Sequence, residues 1–249
     1  MADRSGVLED ARQLLIQSGA GFLRNVFWEA GVTCKVCAGI PNPGFDLCLA
    51  CSDRRLRVDL ADRLGFVTYA WQPDQTGQVM YGYKDARPAS ANVRLMQLMV
   101  SYAVVAHWQC TADGSLGTPT HWAVVPSLKN RGRAHPLRGL AEPVLRNLTE
   151  IAVTAAPLPI TNPRGVLAGN FVVPPTDAHH VLVIDDTWAR GGHVQSVALA
   201  LKQAGVRRVT ALVMARWLDP AWSTTRSFIS DRLDADFEPY VCPFTGERC

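Results

Sequence analysis

The segment from 180 to 214 leaves this chain few folds to choose from. Val181-Leu-Val-Ile184 is an apolar run of strand length that stops at two adjacent aspartates, Asp185 and Asp186. A loop ending in Gly191 and Gly192 follows. Val194, Val197, Ala198 and Leu201 then fall at i, i+3, i+4 and i+7, one apolar face of a helix over about 192–204. Gly205 stands where a helix C-terminal cap belongs, and 209–214 restarts a strand. Strand, loop, helix and strand at this spacing imply two parallel strands joined by a right-handed crossover. The chain is therefore read as α/β.

The rest of the 249 residues fits one large domain of that kind with a small appendage. Apolar residues at Val7, Leu8, Ala11, Leu14, Leu15, Phe22, Val26 and Phe27 predict a helix over 7–30. Segments 65–72 and 78–83 read as strands joined by a turn at 73–77. A long buried helix is expected over 89–109, and a strand over 121–126. A basic loop, SLKNRGRAHP, comes next, then a helix over about 137–150. Residues 155–177 are proline-rich and irregular, suited to a flap. No segment has the roughly 18 uncharged apolar residues of a membrane span, and the acidic start MADRSGVLED is unlike a signal peptide. A soluble, cytoplasmic protein is expected. The net charge of +3 is too mild to argue for nucleic-acid binding by itself.

Four of the seven cysteines are clustered. Cys34-x2-Cys37 and Cys48-x2-Cys51 are separated by ten residues that include Pro41, Asn42, Pro43 and Gly44. Each pair lets two thiolates converge on one ion, and two pairs complete a tetrahedral four-thiolate site for structural Zn2+, the pattern of a zinc ribbon. A redox CxxC would need one pair at a helix start after a strand, and that context is missing. Cys242 and Cys249 could bind a second ion but lack two further ligands nearby in sequence, so they read as surface or docking residues, and Cys110 reads as core.

The aspartates lie at the carboxyl edge of a parallel sheet, where open α/β folds bind ligands. Unpaired N–H groups at the following helix start favour an anion, and Gly191 and Gly192 let the backbone come close to it. Arg190 adds a positive charge. Asp185 and Asp186 are acceptors suited to neighbouring hydroxyls. A phosphate and a vicinal diol on one molecule describe a ribose 5-phosphate. A P-loop ATPase fails for want of GxxxxGK[ST], and a phosphotransferase with a nucleophilic aspartate would want Asp-x-Asp. A plain capped strand-to-helix turn is the remaining alternative.

VLVIDDTWARGGH (181–193) resembles the phosphoribosyl-pyrophosphate signature of type I phosphoribosyltransferases. The layout of a four-cysteine ribbon, YGYKDARP (81–88), VVPS (124–127), then Arg164 and Asn170-Phe171 before the signature resembles the ComF-type branch of that family. The resemblance implies a type I phosphoribosyltransferase fold, a central mostly parallel sheet flanked by helices, with a small N-terminal zinc ribbon. Its divisions would be an N-terminal helix at 1–30, the ribbon at 31–60 and a phosphoribosyltransferase-like domain at 61–249, with a hood at about 151–177. It implies that Asp185 and Asp186 are the catalytic pair that binds the ribose hydroxyls, and that Ala189, Arg190, Gly191, Gly192 and His193 hold the 5-phosphate. Ser127, Lys129 and Arg131, with Arg133 beside them and Lys84 from a cover loop, would meet the pyrophosphate, with Mg2+ bridging substrate oxygens. Arg190 and His193 stand where the family usually has hydroxyls. The expected activity is transfer of a phosphoribosyl group to a nitrogenous base. The alternative is a catalytically silent ligand sensor or a nucleic-acid accessory factor for DNA uptake, with Arg54, Arg55 and Arg57 on the ribbon. Expected partners are phosphoribosyl pyrophosphate or a related ribose phosphate, with nucleic acid and a second copy of the chain as further candidates, and no membrane.

Overall fold

The computed structural model describes residues 4–112, 114, 116–129, 133–158 and 165–249. In chain order these form α1 (Arg4–Gly19), α2 (Leu49–Ser52), β1 (Arg63–Ala70), α3 (Gln75–Gly82) and α4 (Ser90–Ala106). A 3-10 turn at Trp108–Thr111 leads to β2 (His121–Val124), α5 (Pro136–Leu145), β3 (Thr149–Glu150) and β4 (Thr154–Ala155). After a second 3-10 turn at Ala168–Asn170 come β5 (Phe171–Val172), β6 (His180–Trp188), α6 (Gly192–Gln203), β7 (Arg208–Trp217) and α7 (Ser223–Arg232). No helix among the described residues is long and apolar enough to cross a membrane.

Five strands form one sheet in the order β1-β7-β6-β2-β3, and every pairing in it is parallel. The near-continuous apolar runs of β6 and β7 put them at its centre, buried on both faces. Successive side chains alternate between those faces. Val181, Val183 and Val213 pack with Val194, Val197 and Leu201 of α6. Leu182, Ile184 and Leu212 pack with Met96, Met99 and Val100 of α4 on the other side. The central parallel sheet with flanking helices is the architecture that the 180–214 pattern requires.

Three local expectations change. The segment 78–83, read as a strand, belongs to helix α3. Asp74 caps that helix by accepting from the Thr76 N–H at 2.9 Å, and Thr76 Oγ1 donates to the Phe22 carbonyl. A Cβ on Gly77 would lie 2.0 Å from the Trp71 carbonyl oxygen, so glycine is what lets the helix pass there. The helix expected over 7–30 stops at Gly19. Residues 22–28 leave it to run along β1, where Tyr69 N–H donates to the Arg24 carbonyl and Asn25 forms an antiparallel bridge with Thr68. Finally, β6 continues beyond Ile184 through Trp188, because β7 extends far enough to pair with Asp185, Thr187 and Trp188.

The outer edge of β1 is closed at a second place. Phe66 N–H donates to the Pro243 carbonyl at 2.8 Å, and Phe244 lies over Gly65, where a Cβ would meet its ring at 2.6 Å. An exposed edge is a template for association, and here segments from distant parts of the chain cover it.

Candidate functional site

Asp185 projects to the α6 face of the sheet, where it lines a cavity of about 600 Å³ together with Thr187, Lys129 and the loop 189–194. That volume is in the range of small-ligand sites. The loop turns sharply because Gly191 is left-handed, with φ 71°. A Cβ there would also sit 2.1 Å from the ring of buried Trp188, which floors the loop. The turn aims the first N–H groups of the twelve-residue α6 at the cavity, together with the positive end of its dipole. Gly191→Ala is expected to cost at least about 2 kcal/mol, from the left-handed backbone and the displaced indole together. A urea-unfolding midpoint unchanged from wild type would refute this.

Asp186 faces the opposite way, as alternation along a strand requires. Its Oδ2 accepts from Tyr83 Oη at 2.7 Å and from Lys84 Nζ at 2.6 Å, with His135 Nε2 at 3.6 Å. Burial and the adjacent charge of Asp186 push the Asp185 carboxyl well above the usual carboxylate range. Against its own burial, Lys84 and His135 hold Asp186 below that range, helped by hydrogen bonds from Lys84 and Tyr83. The two carboxyls are thus driven apart, with Asp186 the one that keeps its charge.

The other residues singled out in the sequence divide between two places. Lys129 and the loop 189–193 share the cavity with Asp185. Ser127 lines a neighbouring hollow with Arg133 and His135, and its Oγ accepts from the Lys129 N–H at 3.3 Å. Lys84 is brought to Asp186. Arg131 and Arg164 lie outside the described residues. His193 packs edge-on against Phe171, and its buried Nε2 has no partner among the described residues. Burial lowers its pKa, so the imidazole is neutral at pH 7.

The sulfurs of Cys34, Cys37, Cys48 and Cys51 all lie within 4.8 Å of one another. The Cys37–Cys48 separation of 3.6 Å is close to the edge of about 3.8 Å that bonds of about 2.3 Å give a tetrahedral zinc-thiolate site. The donor set fits a metal, and its closed shell leaves no open position. Buried Arg216, at the end of β7, joins this cluster to the loop. Its Nε donates to the Cys37 carbonyl at 2.8 Å, and Nη1 donates to the carbonyls of Trp188 and Ala189, each at 3.1 Å. Its Nη2 lies 3.5 Å from Cys37 Sγ. From the ribbon side, Arg54 Nη1 donates to the Arg190 carbonyl at 2.7 Å.

No family model and no curated protein matches the chain. Among solved structures it is similar to the adenine phosphoribosyltransferase of Leishmania donovani, with 13% identity and a TM-score of 0.36, over 67% of this chain and 70% of that one. It is also similar to a hypoxanthine phosphoribosyltransferase of Staphylococcus aureus, with 17% identity and a TM-score of 0.28, over 62% of this chain and 72% of that one. Both likenesses are distant, and the chemistry of the site has to be read from its own side chains.

Sequence reasoning missed five contributors. Tyr83 and His135, which surround Asp186, come from segments about 50 residues apart with no shared pattern. Arg216 follows the apolar run Ala211–Ala215 of β7, and a cation at the end of such a run was the available signal. Trp217 and Trp222 line the same cavity as Asp185; their spacing carries no period.

Proposed function

We propose that the cavity binds the ribose 5-phosphate part of phosphoribosyl pyrophosphate, and that the chain transfers the phosphoribosyl group to a nitrogenous base. The observation that carries this reading is that Asp185, Lys129 and the 189–193 backbone line one cavity. The 5-phosphate accepts hydrogen bonds from the N–H groups of 189–193, the donors that survive replacement of the family's usual hydroxyls. Asp185 accepts from a ribose hydroxyl. Asp186, anchored by Lys84 and Tyr83, holds a fixed negative charge beside it, which suits the positive charge that develops on the ribose ring as the leaving group departs.

Lys129 leads the cations available to the pyrophosphate, with Ser127 next to it, and Lys84 and Arg131 are assigned to the same group. A divalent ion of the Mg2+ type needs only one or two carboxylates and takes the rest of its shell from phosphate oxygens and water, and Asp185 and Asp219 both line the cavity. When bound, Mg2+ neutralises charge on the leaving pyrophosphate. In the transfer the anomeric C–O bond breaks, the pyrophosphate leaves with the electron pair, the acceptor nitrogen forms the new bond to that carbon, and the proton that nitrogen carried passes to the departing pyrophosphate or to water. No side chain of the cavity is assigned as a general base, so the chain contributes positioning and charge stabilisation. Trp217 and Trp222 offer flat aromatic surface to a planar base. Zn2+ in the four-cysteine cluster has a structural role, holding the ribbon against the loop.

The test is calorimetric titration of phosphoribosyl pyrophosphate with Mg2+ into wild type, Asp185→Asn and the Asp185→Asn/Asp186→Asn double variant. The single change leaves the Asp186–Lys84 pair intact. Loss of one ordinary hydrogen bond from a carboxyl held neutral is expected to weaken binding by roughly 2- to 10-fold, and the double variant, which also removes the charged Asp186, should bind more weakly still. Absence of heat in the wild type would reject the site. Binding without pyrophosphate release over a panel of bases would favour the silent sensor instead. A nucleic-acid role has less to draw on, since Arg54 is bonded to the loop and Arg57 to Asp59.

A further inference from the structure

We propose that His107, Cys110, Cys242 and Cys249 form a second metal site that holds a structural zinc ion. Their ligand atoms, one imidazole nitrogen and three sulfurs, all lie within 4.8 Å of one another. Cys110 Sγ and Cys249 Sγ are 3.6 Å apart, the same separation as Cys37 and Cys48 in the first cluster. A disulfide would need about 2.05 Å and would leave a third cysteine and the histidine unexplained. His107 Nδ1 is 3.1 Å from Cys249 Sγ, while its Nε2 lies 3.0 Å from the Pro239 carbonyl oxygen. That carbonyl can only accept, so it fixes the proton on Nε2 and turns the Nδ1 lone pair toward the sulfurs, the outer-shell arrangement found around metal-bound histidines.

Both halves of the site are tight turns that bring two ligands together. His107 precedes the 3-10 turn after α4 and Cys110 lies within it, where Cys110 N–H donates to the His107 carbonyl at 3.0 Å. Cys242 and Cys249 bracket a loop in which Gly246 N–H donates to the Cys242 carbonyl at 2.8 Å, Cys242 N–H donates to the Glu247 carbonyl at 2.7 Å, and Val241 bridges Arg248. Gly246 is left-handed there, with φ 73°. Three thiolates and one imidazole form a closed soft donor set with no open position, which selects zinc in a structural role. The ion would tie the 242–249 loop to the end of α4. That loop carries Pro243 and Phe244, which cover the edge of β1, so the metal would hold a sheet edge closed.

The experiment is native mass spectrometry of the full chain, purified under reducing conditions with zinc present, for wild type, Cys110→Ser/Cys249→Ser and Cys34→Ser/Cys37→Ser. Two zinc ions per chain are expected in wild type. One is expected in the Cys110/Cys249 variant, which keeps the first cluster, whereas in the Cys34/Cys37 variant loss of the first ion is expected to come with loss of the native fold. One ion in wild type, unchanged in the Cys110/Cys249 variant, would overturn the proposal, as would a wild-type mass showing a disulfide with one ion. Should the variants fail to fold, Co2+ titration of the metal-stripped wild type decides. Thiolate-to-cobalt absorption that saturates at two equivalents supports the second site, and saturation at one rejects it.

Discussion

Arg216→Ala should lose about 3–5 kcal/mol of folding stability, the usual cost of removing one partner from a buried, charge-assisted network. In a chain of this size that corresponds to a fall of about 10 °C in melting temperature. The guanidinium bonds carbonyls on both sides of a junction, Cys37 in the four-cysteine segment and Trp188 and Ala189 at the end of β6, and alanine would remove all three bonds. It also faces the thiolate of Cys37, whose cluster carries a net negative charge when four thiolates share one divalent ion. Arg216→Lys should recover less than half of the loss, because an ammonium is a point donor and cannot span both sides as a planar fork does. Gly39→Ala is an independent probe, since its Cβ would fall 1.8 Å from Arg216 Nη2 and displace the guanidinium without touching the loop. A melting temperature within 2 °C of wild type for Arg216→Ala, taken here as about 1 kcal/mol or less, would refute the account.

Removing the metal assigned to the four-cysteine cluster should have the larger effect. Structural zinc supplies about 10–16 kcal/mol of apparent free energy in small finger domains. Here Cys34, Cys37 and Cys51 pack in the same core as Tyr69, Trp188 and α6, so the loss cannot stay within the ribbon. Cys34→Ser/Cys37→Ser is expected to abolish cooperative unfolding of the native chain and to give soluble protein with little near-ultraviolet dichroism. A strong chelator added to wild type should do the same reversibly. Anion binding at the loop should fail together with the ribbon, because Arg54 and Arg216 hold the Trp188–Arg190 carbonyls from that side. A chelated protein that melts cooperatively at the wild-type temperature would show that the cluster is not a folding element.

What the sequence made legible was what lies close together along it. The 180–214 unit declares itself because strand, turn glycines, amphipathic helix and restarting strand follow within 35 residues, each with its own period. The four-cysteine cluster does so for the same reason. The strand reading of 78–83 failed because Val79, Met80, Tyr81 and Tyr83 have strand-forming side chains, while the helix there is decided by the Asp74 cap and by the passage of Gly77 under Trp71. The helix from residue 7 was extended too far because Phe22, Val26 and Phe27 keep a plausible spacing even where the backbone has left α1 to lie on β1. Cys242 and Cys249 do not declare a metal site along the chain, because the ligands that meet them in space, His107 and Cys110, are over 130 residues away in sequence. The two-carboxylate motif was visible as a motif, but its division into a cavity-facing Asp185 and an anchored Asp186 depends on β6 running on past Ile184.

One arrangement in the sheet has a consequence in time. β1 pairs along its length with β7, beginning with Arg63 opposite Thr210. At a synthesis rate of about 5–20 residues per second, β1 emerges from the ribosome about 7–30 s before β7 does. The segment around Arg24 and Asn25, which closes part of the outer edge of β1, is already made by then. The inner edge has no substitute. For that interval RLGFVTYA, an apolar strand destined for the interior, waits for its neighbour with that edge open to association with other chains.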